Sequence, residues 1–114
     1  MSDELFLKII RREIPAEIVF ENDELLAFRD IDPQAPVHIL IIPKRRIATP
    51  NDLQMQDAEL VGRLFLAARE IAEAEGIGED GYRLVMNCNR HGGQSVFHIH
   101  LHLIGGRQMT WPPG

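Results

Sequence analysis

A chain of 114 residues suits one domain around one core, expected here to span residues 1–114. Its 45% apolar and 25% charged residues are ordinary for a soluble globular protein, and no apolar run approaches the ~20 residues that cross a bilayer. A formal net charge of −5 argues against general nucleic-acid binding, which needs phosphate neutralisation, but leaves room for a small anion held by local donors.

The first segment, "SDELFLKIIRREIP", reads as a short helix with Ser2 as N-cap, Asp3 and Glu4 in the first turn, and Pro15 as the stop. Leu5, Phe6, Ile9 and Ile10 fall at helical spacing. "EIVFEN" and "ELLAFRDI" are expected strands joined by a turn at Asn22-Asp23. "DPQAP" is a rigid connector. "VHILIIP" is a third strand, nearly all apolar and therefore expected at the centre of a sheet.

Turn and capping residues from Asn51 to Asp57 precede a long helix expected over Asp57–Glu75, with Gly76 at its C′ position. Leu60, Leu64, Ala67 and Ile71 form one apolar stripe on it, and Val61, Phe65, Ala68 and Ala72 a second. Together they are wider than one core-facing stripe requires, which fits either a subunit interface or deep burial within a monomer. "GYRLVMNCN" and "SVFHIHLHLI" complete five strands. The order α-β-β-β-α-β-β predicts an α+β fold with an antiparallel sheet. The lone cysteine, Cys88, has no internal disulfide partner, and no signal peptide is visible before Leu5, so a cytoplasmic location is expected.

The last strand carries His98, His100 and His102 at every second position, so all three should project from one face while Phe97, Ile99, Leu101 and Leu103 fill the other. Imidazoles titrate near neutral pH, attack electrophiles and bind metals. Three on one metal ion is hard to build, because at ~3.3 Å per residue the outer two Cα atoms lie about 13 Å apart. Two of them with His38 would reach more easily, but no acidic residue in the stretch offsets a divalent charge. Nucleophilic attack on phosphorus fits better: one neutral ring attacks, and its neighbours bind phosphate oxygens or protonate the leaving group. Gly92-Gly93 would let backbone amides approach a phosphate. Ser95 has the opposite parity to the histidines, and reaches the ligand only where the strand is starting or bulged.

The run "GGQSVFHIHLHLIGGRQMTWPPG" resembles the signature of the histidine triad superfamily, above all its nucleotide-binding branch. "FLKIIRREIPAEIVFENDELLAFRDIDPQAPVHILIIPKRRI" resembles the first half of the same proteins, so nearly the whole chain is covered. The resemblance implies a homodimer with a five-stranded antiparallel sheet in each subunit. It also implies purine nucleotide binding and hydrolysis of the P–N bond of adenosine phosphoramidates, with no metal or other cofactor. Carried over by position, His100 is the nucleophile and His102 holds phosphate oxygens. His98 and Ser95 assist the departing amine, and His38 joins a relay behind the nucleophile. Asn87, Gly93 and Gln94 lie near phosphate and ribose, and Asp30 contacts the ribose. Ile9, Phe28, Ile31 and Leu40 form an apolar slot for the base, and Trp111 approaches the partner subunit's site. His91 matches no such position, and Lys44, Arg45 and Arg46 read as a solvated loop. Two rival readings are a metal-binding regulatory protein and a nucleotide-sensing interaction module. Neither nucleic acid nor membrane is an expected partner.

Overall fold

The computed structural model describes residues 4–114, so the expected cap Ser2 and its neighbour Asp3 lie outside the described residues. In chain order the elements are α1 (Leu5–Ile10), β1 (Ile18–Glu21), β2 (Leu25–Arg29), β3 (Val37–Pro43), α2 (Ala58–Ala74), β4 (Tyr82–Val85), α3 (Asn89–Gly92) and β5 (Leu101–Gly105). The five strands form one sheet in the order β1-β2-β3-β5-β4, every adjacent pair antiparallel. The α+β architecture and the central place of "VHILIIP" are as its composition implies.

Strand parity divides the core in two. Leu25 and Ala27 of β2, Ile39 and Ile41 of β3, and Leu101 and Leu103 of β5 pack with Leu64, Ala67, Ala68, Ile71 and Ala72 of α2. Leu26, Phe28, Leu40 and Ile42 point the other way and meet Phe6 and Ile9 of α1. The histidines share this second face, so α1 roofs the chemistry while α2 backs the sheet. Arg29 at the end of β2 grips Glu75, just past α2, through two 2.9 Å bonds, fixing the strand that leads into Asp30.

Three features differ from expectation. α1 ends at Ile10, well before Pro15: Arg12 adopts φ 64° and its guanidinium bonds the carbonyls of Ile9 and Ile10 and the carboxylate of Glu21. The two stripes of α2 are also not separate faces. Ala68 and Ala72, both 0% exposed, turn into the same core as Leu64 and Ile71, leaving Phe65 (45%) and Leu66 (51%) outside.

The third difference matters most. β5 begins at Leu101, so of the three histidines His102 alone lies within the paired strand. Continuing the register of Ile41 with Leu101 would set Pro43 against Ile99, and proline has no N–H to give. The Ile99 amide instead donates to the Ile47 carbonyl at 2.8 Å. Phe97 is half-buried and joins neither core cluster, unlike Ile99, Leu101 and Leu103.

Candidate active site

A cleft of about 260 Å³ opens on the α1 side of the sheet. One end is apolar, lined by Phe6 and Ile9 of α1, Ile14, Phe28, Leu40 and Val96; the other carries Asp30, Ser95, His100 and His102. Ile31 stands at the rim, 97% exposed. Of the residues singled out from sequence, the fold thus gathers Ile9, Phe28, Asp30, Ile31, Leu40, Ser95, His100 and His102 around one space. Ser95 reaches it because the chain there has not yet entered the strand, which frees it from strand parity.

The hydrogen bonds assign the ring protons. The Gln34 amide donates to Nδ1 of His38 at 3.0 Å, so the neutral His38 ring carries its proton on Nε2. That N–H lies 2.9 Å from Nδ1 of His102, which must accept it. His102 then bears its own proton on Nε2, as a donor. His100 is the reverse. Its Nδ1 is 2.9 Å from the His98 carbonyl, an acceptor, so Nδ1 holds the proton and Nε2 keeps a bare lone pair. A nucleophilic nitrogen and an N–H donor therefore sit side by side, their ring centroids 4.9 Å apart.

Burial favours the uncharged form of His100 and His102. It is the main cause that pushes His100 below the ordinary imidazole range, against partial opposition from its bond to the His98 carbonyl. Burial, reinforced by His100 and His38 alongside, lowers His102 to about 4. Asp30 is fixed by its own turn: its carboxylate accepts the Asp32 amide at 2.8 Å, and its other oxygen lies 3.5 Å from Nε2 of His38.

Asp30, His38 and His102 bring ligand atoms within 4.8 Å of one another, close enough to suggest a metal. The Gln34 amide opposes it. A metal on Nε2 of His38 would move the ring proton to Nδ1, where it would point at an N–H donor.

Other expected residues stand elsewhere. His98 is 0% exposed and lines no part of the cleft. Gln94 turns inward: its amide nitrogen donates to the carbonyls of Ala48 (2.7 Å) and Val96 (3.0 Å), and its oxygen accepts the Asn89 amide (2.9 Å). The backbone amides of Gly93 and Gln94 are engaged with the Arg90 and Asn89 carbonyls, within the turn that closes α3. Asn87 is half-buried beyond the end of β4, outside the cleft lining. Trp111 is 81% exposed and does not line the cleft of its own chain.

Phe6 was not among the residues marked from sequence as part of the site. It packs edge-on against Phe28 at 5.6 Å and against His100 at 5.1 Å. Its place three residues before Ile9, on the same helical face, is the signal that marks it.

The HIT domain pattern matches residues 11–109. Over 110 residues, 96% of this chain and 92% of the relative, the sequence is 59% identical to the purine nucleoside phosphoramidase of Escherichia coli (strain K12). A HIT family hydrolase from Legionella pneumophila Philadelphia 1, known from its crystal structure, superposes with a TM-score of 0.95 at 62% identity, covering 96% of this chain and 98% of that one. A histidine triad nucleotide-binding protein from Candida albicans superposes with a TM-score of 0.81 at 28% identity, covering 95% and 82%.

Proposed function

The chain belongs to the HIT domain family, and on that premise we propose that it is a purine nucleoside phosphoramidase, hydrolysing the P–N bond of nucleoside 5′-phosphoramidates. The observation that carries this reading is the proton assignment: His100 offers a bare Nε2 at the cleft beside a His102 that offers an N–H. The Nε2 lone pair of His100 attacks the α-phosphorus, forming a new N–P bond as the P–N bond to the amine breaks. His102 donates to a phosphate oxygen where charge develops. The exposed Ser95 hydroxyl donates its proton to the departing nitrogen and takes one back from solvent. Water then attacks the nucleotidyl-histidine, restoring His100 and releasing the nucleoside monophosphate.

Asp30, beside the apolar slot, accepts the ribose hydroxyls, and the slot takes the base by area and stacking rather than by donors. Incubation with adenosine, guanosine and cytidine phosphoramidates tests the proposal. Both purines should turn over within about tenfold of each other, or ~1.4 kcal/mol. No released nucleotide, or a cytidine substrate equal to the purines, refutes it.

The pH dependence follows from the lowered imidazoles. A protonated His100 has no lone pair on Nε2, so activity falls as pH drops through its folded pKa. That pKa lies below the ordinary 6.5. The acid limb of kcat/KM, which reports the free enzyme, should accordingly appear below pH 6.5. A limb at or above that value contradicts the assignment.

The same reading makes the protein a homodimer of single HIT domains working in the cytosol, where Cys88 stays reduced. Phe65 and Leu66 leave exposed apolar surface on α2, and a two-fold contact would cover it with one self-complementary surface. The partner's C-terminal tail then brings Trp111 toward the leaving-group end. A charge at Ala68 or Ala72 would enter the core of its own subunit, so the informative variant is Phe65→Glu with Leu66→Glu. It should sediment as a folded monomer of 13.0 kDa while the wild type runs at twice that mass. A wild type at monomer mass at micromolar concentration rejects the dimer.

A further inference from the structure

We propose that His98, the first of the three alternating histidines, is a positioning residue: its ring anchors the Pro43 carbonyl so that its own backbone carbonyl can hold His100 in the reactive tautomer. It exchanges no proton with the leaving group. This inference rests on the phosphoramidase reading and concerns how that site is kept in order.

The chain from Phe97 to His100 lies outside β5 and has no ladder to fix it. What holds it is a clamp on the loop after β3. The Arg46 guanidinium donates to the Phe97 carbonyl at 2.9 Å, and the Ile99 amide to the Ile47 carbonyl at 2.8 Å. Between them, Nε2 of His98 donates to the Pro43 carbonyl at 2.7 Å. Arg46 is exposed, whereas the His98 bond is sealed, and a sealed bond is costly to break because the carbonyl left behind finds no water.

The same residue's carbonyl receives Nδ1–H of His100. Were the clamp to loosen, His100 could place its proton on Nε2 and lose its nucleophile. A proton relay, by contrast, needs a partner on each ring nitrogen and a path to the substrate. Nδ1 of His98 is buried and has no partner among the described residues. The ring packs edge-on against Phe6 at 5.6 Å, on the wall rather than in the cleft. Burial lowers the pKa of His98, in keeping with a ring that stays neutral and merely donates.

Two variants separate positioning from acid catalysis. His98→Gln keeps an N–H at about the reach of Nε2, whereas His98→Phe keeps the ring and its contact with Phe6 but has no donor. Each is assayed with adenosine phosphoramidates of amines of increasing basicity, and the His100 ring nitrogens are observed by NMR in nucleotide-free protein. His98→Gln should stay within about threefold of the wild-type kcat and retain the Nδ1–H form of His100. His98→Phe should lower kcat by about tenfold or more at little-changed KM, by one factor for every amine, with His100 in mixed tautomers. A loss that steepens as the amine becomes more basic would mean that His98 supplies the proton, overturning the proposal. So would an unaltered His100 tautomer in His98→Phe. If His98→Phe fails to fold, the dependence of His98→Gln on the amine decides by the same criterion. The NMR result needs no turnover, so a wild type inert toward phosphoramidates would refute the proposed function while leaving this inference to stand or fall separately.

Discussion

His100→Asn should abolish turnover while leaving nucleotide binding nearly intact. The loss should span several powers of ten, at ~1.4 kcal/mol of barrier for each. The Nε2 lone pair of His100 is the group that can bond to phosphorus, and its availability follows from the 2.9 Å contact between Nδ1 and the His98 carbonyl. Asparagine retains a polar group near Nδ1 but has nothing where Nε2 was, so water must attack directly and the two-step route closes. Binding survives because the slot formed by Phe6, Ile9, Phe28 and Leu40 and the Asp30 carboxylate are untouched. Single-turnover assays with calorimetry of nucleoside monophosphate binding would separate the two effects. Mass spectrometry of wild type quenched in alkaline denaturant, where a P–N bond to imidazole survives, should show a nucleotidyl adduct that the variant lacks. Near-normal turnover in His100→Asn would place the nucleophile elsewhere.

Gly106→Ala should destabilise the fold by about 2–4 kcal/mol, combining backbone strain with overpacking. Two glycines close the histidine strand, and the structure gives each a reason. At Gly105 a Cβ would come within 2.6 Å of the Ile77 Cδ1 methyl, a flexible end that can shift. At Gly106 the backbone adopts φ 92°, which L side chains rarely enter, and a Cβ would stand 2.9 Å from Cβ of the rigid Pro36 ring. Relief would have to move either the "DPQAP" connector or the end of β5, which pairs with Val37 and Tyr82 there. Urea unfolding monitored by circular dichroism measures the change, and a Gly106→Ala variant within about 0.5 kcal/mol of wild type would show that the turn relaxes freely.

Much of the fold was legible along the chain because its signals are local. "VHILIIP" is a strand buried on both faces, and its residues say so: the observed β3 has the expected bounds and sits at the sheet centre. Gly76, with φ 77°, ends α2 as its place after the apolar periodicity implies. The alternation of His98, His100 and His102 puts the three rings on one side of the sheet, where His98 and His100 meet Phe6 and His102 lies against His100. The apolar partners Ile99, Leu101 and Leu103 correctly fill the opposite face.

What the sequence by itself determined, then, is periodicity: which residues share a face, where the long helix stops, and which imidazoles cluster together. Tertiary structure decided everything that depends on a partner distant in the chain. That Pro43 lacks an N–H, and so ends the ladder before His98, is decided by the pairing of two strands more than 50 residues apart. Whether Ala68 and Ala72 meet a second subunit or their own sheet depends on how α2 is rolled against β3 and β5, and an all-round apolar pattern leaves that rotation open. Gln94 looks equally able to bind a phosphate or to knit a loop until the carbonyls of Ala48 and Val96 take both its N–H bonds. Which ring nitrogen keeps a bare lone pair likewise belongs to the fold. An imidazole is symmetric in its options, and single hydrogen bonds from Gln34 to His38 and from His100 to the His98 carbonyl choose between them.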